Sequence, residues 1–358
     1  MEENPAISMA KAAKIIRRSI YTFLQHYHFF TSIASLIVLP FAISILITQA
    51  TVPRSLVFFP TIYGRLHSIF HAAGFPPSSD LFALVSLKLS QTISTSIITL
   101  PFTISFFLLA KASIIHFFTN IITQHPTSNY YSLSPPSSSF TTLYNPILST
   151  HLCNCFIIFA ANATCFSLLF FAFNFLEGFH LNTPIWVLTF SVFAAVFYSI
   201  VLANTFVVCN LALISSGIER RGGFLSILKA CVLIRGNTST ALALAVPINL
   251  GLAAVEALFH FRIVAASQHA HRFDTTNSLW LVALEGVLIA YIYSVLLVLD
   301  VIISCMFYQS CQNDQAFIHQ ITQGYPANDQ DAYVMEVDEE FRCYDYDVEK
   351  LKGLEEFV

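Results

Sequence analysis

Three carboxylates stand in the apolar stretches of the second half of the chain, and acids in such places are candidates for chemistry. Glu256 lies in PINLGLAAVEALFHF, and Glu285 and Asp300 lie in the last long apolar run. An acid inside a membrane span is costly and could bind a proton or a cation. The sharpest functional hypothesis is a Glu256/Glu285 pair facing one outer vestibule. The structural alternative pairs Glu256 with His260, one helical turn later, or with Arg262.

The expected depth of the carboxylates favours the structural alternative. Glu256 is expected about one turn, roughly 5 Å, from the outer end of its span. Glu285 is expected near the same side, and Asp300 towards the inner end of the last span. The polar groups expected at the midplane are then uncharged ones, such as Asn162, Asn204 and Asn249. These would hydrogen-bond between helices or line a polar solute path. Asn249 joins the three acids as a candidate transport residue.

Motifs typical of enzymes and metal sites are missing from the sequence. His67 and His71 are four residues apart, yet no third clustered ligand accompanies them. There is no GxSxG elbow, P-loop or GxGxxG, and the eight cysteines form no CxxC pair. We therefore expect a non-enzymatic protein with no catalytic residue, no metal and no cofactor.

The composition places these residues in a membrane. The 358 residues are 56% hydrophobic and 11% charged, whereas a soluble domain carries about 25% charged residues. A lipid bilayer is the partner that such a chain requires. We predict an all-α, polytopic membrane helical bundle with kinks at Pro40, Pro101 and Pro247. The six predicted spans are 29–50, 89–110, 152–176, 185–214, 238–260 and 279–303.

Basic amphipathic segments flank the predicted spans. Residues 1–28 are expected to form an N-terminal helix with Lys11, Lys14 and Arg18 on one face, lying at the membrane surface. The linker between the fourth and fifth spans, with Arg220 and Arg221, is expected to lie there too. Residues 29–313 would form the membrane domain and 314–358 an acidic tail. The Pro/Ser-rich stretch 126–149 is predicted to be a flexible cytoplasmic loop.

The distribution of basic residues sets the expected orientation. Lys and Arg in the connections accumulate on the cytoplasmic side of membranes. With both termini in the cytoplasm, nine of them, Lys111 included, lie inside and five lie outside. The span lengths suit an endomembrane or the plasma membrane.

The tail has a charge balance opposite to that of the rest of the chain. Residues 314–358 hold 12 acidic and 3 basic residues, whereas residues 1–313 hold 9 acidic and 14 basic ones. Aromatic residues alternate with the acids, which is typical of a docking motif for a cytoplasmic protein; a merely solvating end is the alternative. Nucleic acid is excluded as a partner of the tail because like charges repel. Self-association into an oligomer is also open.

Several segments resemble a known group of proteins. YTFLQHYHFFTSIASLIVLPFAISILI, GFLSILKACVLIRGNTSTALALAVPINLGLAAVEALF and the acidic ending YVMEVDEEF resemble a plant family of six-span integral membrane proteins without a settled molecular function. The resemblance implies a six-span membrane protein and supplies no catalytic residues. From the tail we expect a non-enzymatic scaffold or accessory subunit that recruits a cytoplasmic partner. The alternative, from the acids and prolines of the spans, is a transporter or channel-like protein for a small solute or lipid.

Overall fold

A computed structural model describes residues 5–51, 58–72, 80–123, 136–178, 184–264 and 276–322. Helices account for nearly all of these residues, and no strand occurs within them. The chain divides into two compact units, Met1–Gln309 and Ser310–Val358. The site described below belongs to the first unit.

Eleven α-helices are numbered here along the described residues. They are α1 (Pro5–Gln25), α2 (Tyr27–Ile33), α3 (Leu39–Thr51), α4 (Phe58–Ala72), α5 (Asp80–Phe102), α6 (Leu108–Thr123), α7 (Pro136–Gly178), α8 (Pro184–Glu219), α9 (Phe224–Ile234), α10 (Thr238–Phe259) and α11 (Thr276–Thr322). Wider π-helical turns at Ala34–Val38 and Thr103–Phe107 join α2 to α3 and α5 to α6, and a third, His260–Val264, continues α10.

Among the described residues, six helical segments are long and apolar enough to cross a membrane. They are span 1 (Tyr27–Ala50), span 2 (Leu89–Asn120), span 3 (Leu143–Leu168), span 4 (Val192–Glu219), span 5 (Thr238–Ile263) and span 6 (Trp280–Asp314). The predicted fold class, an all-α helical membrane bundle, is confirmed.

Large apolar side chains cover the outside of these spans. Phe156, Phe193 and Trp280 are 74%, 70% and 78% exposed. A soluble monomer rarely leaves a contiguous apolar surface of this kind in water. Lipid is the solvent that such a surface requires. The exposed apolar side chains would contact lipid and so contribute little to packing between the helices.

Two of the predicted proline kinks coincide with π-helical turns. Pro40 follows the turn Ala34–Val38, and Pro101 precedes the turn Thr103–Phe107. A proline removes one backbone donor from the helix and favours such local rearrangement. Across these two spans, the rings of Phe41 and Phe107 stack with centroids 4.6 Å apart.

The N-terminal helix α1 packs against α10. Its buried stripe is Ser8, Ala12, Ile15 and Ser19, a run of mainly small side chains that permits close approach. The Ser8 and Ser239 hydroxyls are 3.0 Å apart and share a hydrogen bond. Of the basic residues predicted on one face of this helix, Lys14 and Arg18 are exposed and Lys11 is half-buried.

The prediction of a loop over residues 126–149 is wrong from Pro136 onward, where α7 begins. Proline is favoured in the first turn of a helix because its missing N–H would have no partner there. Pro146 is tolerated further along, and its carbonyl accepts a hydrogen bond from Thr150 over 2.8 Å. The same proline forms a tight crossing: a Cβ built on Gly222 would lie 2.6 Å from the Pro146 Cα.

Candidate functional site

A lysine lies inside span 2. Lys111 is nine residues before Asn120, about 14 Å along the helix, and its side chain is only 5% exposed. The sequence interpretation placed Lys111 in a cytoplasmic connection because the apolar run was expected to end at residue 110. The helix instead continues to Thr123. Without Lys111, the predicted cytoplasmic side has eight basic residues against five on the outer side.

The ammonium of Lys111 is held by groups of neighbouring helices. Nζ donates a hydrogen bond to Oδ1 of Asn210 in span 4 over 3.0 Å, and it lies 4.7 Å from the centre of the Phe107 ring. Its charge also interacts with Asp300 of span 6. A buried charge is tolerated when it is paired and hydrogen-bonded.

Asp300 lies well inside span 6 and not at its end. The span continues to Asp314, fourteen residues beyond Asp300, whereas the sequence placed the end at residue 303. Val301 and Ile302, which follow it, are buried in the bundle. No hydrogen bond or direct ion pair joins Asp300 to another residue in the ranges that the structure describes. Its carboxylate is therefore opposed by a nearby positive charge without being in contact with it.

A half-open cavity of about 640 Å³ lies between spans 4, 5 and 6, and several of its lining side chains, among them Phe206 and Leu250, are also exposed on the surface of the bundle. Its polar lining residues are Ser199, Asn210, Asn249, Asp300 and Ser304. Leucine, valine, alanine and phenylalanine side chains make up most of the remaining wall. Asp300 is the one ionisable residue among the described residues that line it. The structure thus brings two of the sequence candidates, Asn249 and Asp300, to one cavity.

Glu256 makes a bond between helices away from this cavity. The Tyr293 hydroxyl of span 6 donates to Glu256 Oε1 of span 5 over 2.8 Å. The sequence predicted His260 or Arg262 as the partner of Glu256, and this prediction is wrong. The partner is a tyrosine of the next span. The glutamate holds spans 5 and 6 together.

Glu285 is paired separately. Arg262 Nε, in the π-helical turn that ends span 5, lies 2.6 Å from Glu285 Oε1. The arginine and glutamate side chains are 54% and 35% exposed, so water or headgroups reach them and the pair contributes little to stability. Neither Glu256 nor Glu285 lines the cavity.

A second polar cluster ties the linker helix α9 to spans 4 and 6. Glu219 Oε1 accepts a hydrogen bond from the Tyr308 hydroxyl over 2.6 Å and forms an ion pair with Lys229 of α9. The adjacent Arg220 and Arg221 are exposed, and Arg220 adopts a positive φ of 54° at the sharp turn. These contacts fix where α9 leaves span 4.

The outward face of α9 is apolar. Phe224, Leu225, Leu228 and Val232 are exposed, whereas Ile227, Ala230 and Leu233 are buried against the bundle. Arg220, Arg221 and Arg235 flank this face. An exposed apolar face bordered by basic residues is the composition of a helix lying in the membrane interface.

Sequence reasoning missed several of the interhelical bonds. Lys111 had a detectable signal, because apolar residues continue beyond it to Phe118 and place it inside the run. Asn154 donates to the Cys209 carbonyl over 2.9 Å, while its buried Oδ1 lacks a hydrogen-bond partner in the described part of the chain. These partners come from distant spans, so no local pattern in the sequence could have named them.

The fold and these buried polar groups define the protein as a multi-pass helical membrane protein. The chain belongs to the family described as Domain of unknown function (DUF8558), whose model matches residues 2–333. No curated protein and no solved structure matches the chain. The six-span architecture and the family of unknown function agree with the coarser part of the resemblance stated above; the plant origin stays a prediction. Within the described residues, no group of three or more His, Cys, Asp or Glu side chains could hold a metal ion.

Proposed function

We propose that the protein is a non-enzymatic carrier for a small solute or lipid, with its binding site in the cavity between spans 4, 5 and 6. One observation carries the proposal: a carboxylate, Asp300, lines a half-open cavity between spans 4, 5 and 6, and its charge interacts with that of the buried Lys111. Ionisable groups within spans are expensive, and apolar packing would stabilise a bundle at lower cost. Their presence beside a cavity favours a functional role.

The dimensions and lining of the cavity suit a bound molecule. Its volume, about 640 Å³, lies within the roughly 300–1,000 Å³ typical of ligand sites. Asp300, Asn249 and Ser304 offer polar contacts on a mainly apolar wall, and Asn210 contributes from span 4. Pro247 lies within the continuous helix of span 5, next to the lining residue Val246, and removes one backbone hydrogen-bond donor from the helix there.

Flux through reconstituted vesicles tests the proposal. The purified protein would be placed in liposomes and the uptake of radiolabelled small amines, alcohols and a fluorescent phospholipid would be followed. We expect at least one of these to be carried by the wild type and lost in Asp300→Asn. Glu285→Gln, an acid of the same span outside the cavity, is the matched control and should retain transport. Equal flux through wild type and Asp300→Asn for every solute would contradict the proposal.

The acidic tail supports a second candidate function, a scaffold or accessory subunit that recruits a cytoplasmic protein. The alternation of acids with aromatic residues in 314–358 favours it, and residues 323–358 lie outside the described ranges. A pull-down from native membranes would compare the intact chain with one truncated after Asn313. Partners lost with the tail are the expected result, and an unchanged set of partners would contradict recruitment.

A further inference from the structure

We infer that the ligand of the cavity is an amphipathic organic cation, with an ammonium group at Asp300 and an apolar body along the wall formed by spans 4, 5 and 6. The inference rests on the proposed function and adds the chemical class of the ligand. It depends on the charge of the lining, on the partners of Lys111 and on the nature of the walls.

In the described part of the chain, the lining holds a single carboxyl group. Asp300 is the one ionisable residue among the described lining residues, and no hydrogen-bond donor in the described ranges contacts its carboxylate. A ligand ammonium would supply the missing donor and form a charge-assisted hydrogen bond. A neutral ligand would strip water from the carboxylate with weaker compensation, and an anion would be repelled.

Lys111 compensates the charge of Asp300 without occupying the site. Its ammonium is bound to Asn210 and lies over Phe107, and Lys111 is not among the residues that line the cavity. The attraction between Lys111 and Asp300 offsets part of the cost of burying the carboxylate. The face of Asp300 that meets the cavity stays available to a second cation.

The walls suit the apolar part of such a ligand. Phe206 of span 4, Leu250 of span 5 and Phe307 of span 6 line the cavity. Aromatic faces attract cations as well as apolar groups. Asn249, whose amide nitrogen donates to the Ala245 carbonyl over 2.9 Å, leaves its side-chain oxygen to accept a further hydrogen bond from an N–H of the ligand.

A matched pair of probes tests the inference. 3-Phenylpropylamine is an ammonium ion at neutral pH, and 3-phenylpropan-1-ol has the same length and apolar body without the charge. Binding of tritiated amine to the full-length protein in lipid nanodiscs would be measured by scintillation proximity, with the alcohol as competitor. We expect the amine to bind about tenfold more tightly or better, the effect of one charge-assisted hydrogen bond. Asp300→Asn should abolish that preference.

A double variant distinguishes loss of binding from loss of folding. Because Asp300→Asn leaves Lys111 without its opposing charge and could impair folding, the variant with both Lys111→Met and Asp300→Asn removes the two charges together. It should fold, by its thermal unfolding profile, and bind the amine no better than the alcohol. Retained amine preference in this folded variant would overturn the inference.

Ala245→Trp places a large side chain in the cavity. It distinguishes a failure of the cation assignment from a failure of the proposed binding site. If amine and alcohol bind equally and Ala245→Trp abolishes both, the choice of a cation is overturned and the proposed binding cavity stands. If neither probe binds, or if Ala245→Trp leaves binding unchanged, the inference is overturned and the cavity loses its support as the site.

Discussion

The ammonium of Lys111 in span 2 lies 3.0 Å from the amide oxygen of Asn210 in span 4. This bond links helices that are far apart in sequence and directs the lysine to a neutral acceptor. Asp300 of span 6 interacts with the same charge over a longer distance. The arrangement holds opposite charges inside the spans while leaving the carboxylate open to a cavity.

The first prediction concerns energetic coupling between Lys111 and Asp300. Each single variant, Lys111→Met or Asp300→Asn, should lower stability because the remaining buried charge loses its counter-charge. The double variant should lose less than the sum of the two, with a coupling of about 1–3 kcal/mol. Unfolding in mixed micelles would measure it. Strict additivity would show that the two charges do not stabilise each other.

The second prediction concerns the bond between Glu256 and Tyr293. Tyr293→Phe should cost about 1 kcal/mol because it removes one hydrogen bond between spans 5 and 6. Glu256→Gln should cost less, since a glutamine oxygen can still accept from the tyrosine. Apparent melting temperatures would compare the two. Both variants should retain flux. Loss of flux in a folded Glu256→Gln protein would show that Glu256 takes part in transport.

The third prediction concerns the crossing of Gly222 and Pro146. Gly222→Ala should destabilise the protein by about 1–3 kcal/mol, because its Cβ would lie 2.6 Å from the Pro146 backbone. Gly64→Ala is the matched control, since a Cβ there would meet nothing within 4 Å. It should be neutral or stabilising by up to about 1 kcal/mol through helix propensity. Equal melting temperatures for the two variants would contradict the tight crossing.

The fourth prediction concerns orientation, which we propose places both termini in the cytoplasm. Pro77→Asn creates the glycosylation sequence Asn-Ser-Ser in the connection between spans 1 and 2. Tyr131→Thr creates Asn-Tyr-Thr from Asn129 in the connection between spans 2 and 3. Expressed in glycosylating membranes, the first should gain a glycan removable by glycosidase and the second should not. The reverse pattern would place both termini on the outer side.

The sequence by itself determined the class of protein and its fold class. With 56% hydrophobic and 11% charged residues, the chain cannot hide its apolar surface from water, and in lipid a backbone must satisfy its own hydrogen bonds as helices. Both conclusions follow from local composition. The number of spans followed for the same reason, since each apolar run is a continuous stretch of the chain.

Only the tertiary structure decided which polar groups meet. Glu256 accepts a hydrogen bond from Tyr293, 37 residues away, and Lys111 donates one to Asn210, 99 residues away. Such pairings depend on the rotation of each helix and on which helices are neighbours. A lipid-facing surface adds to the difficulty, because apolar residues occur on both the inner and the outer faces of a span and leave little periodicity to mark the interior. The cavity at Asp300 therefore emerges only when spans 4, 5 and 6 are packed together.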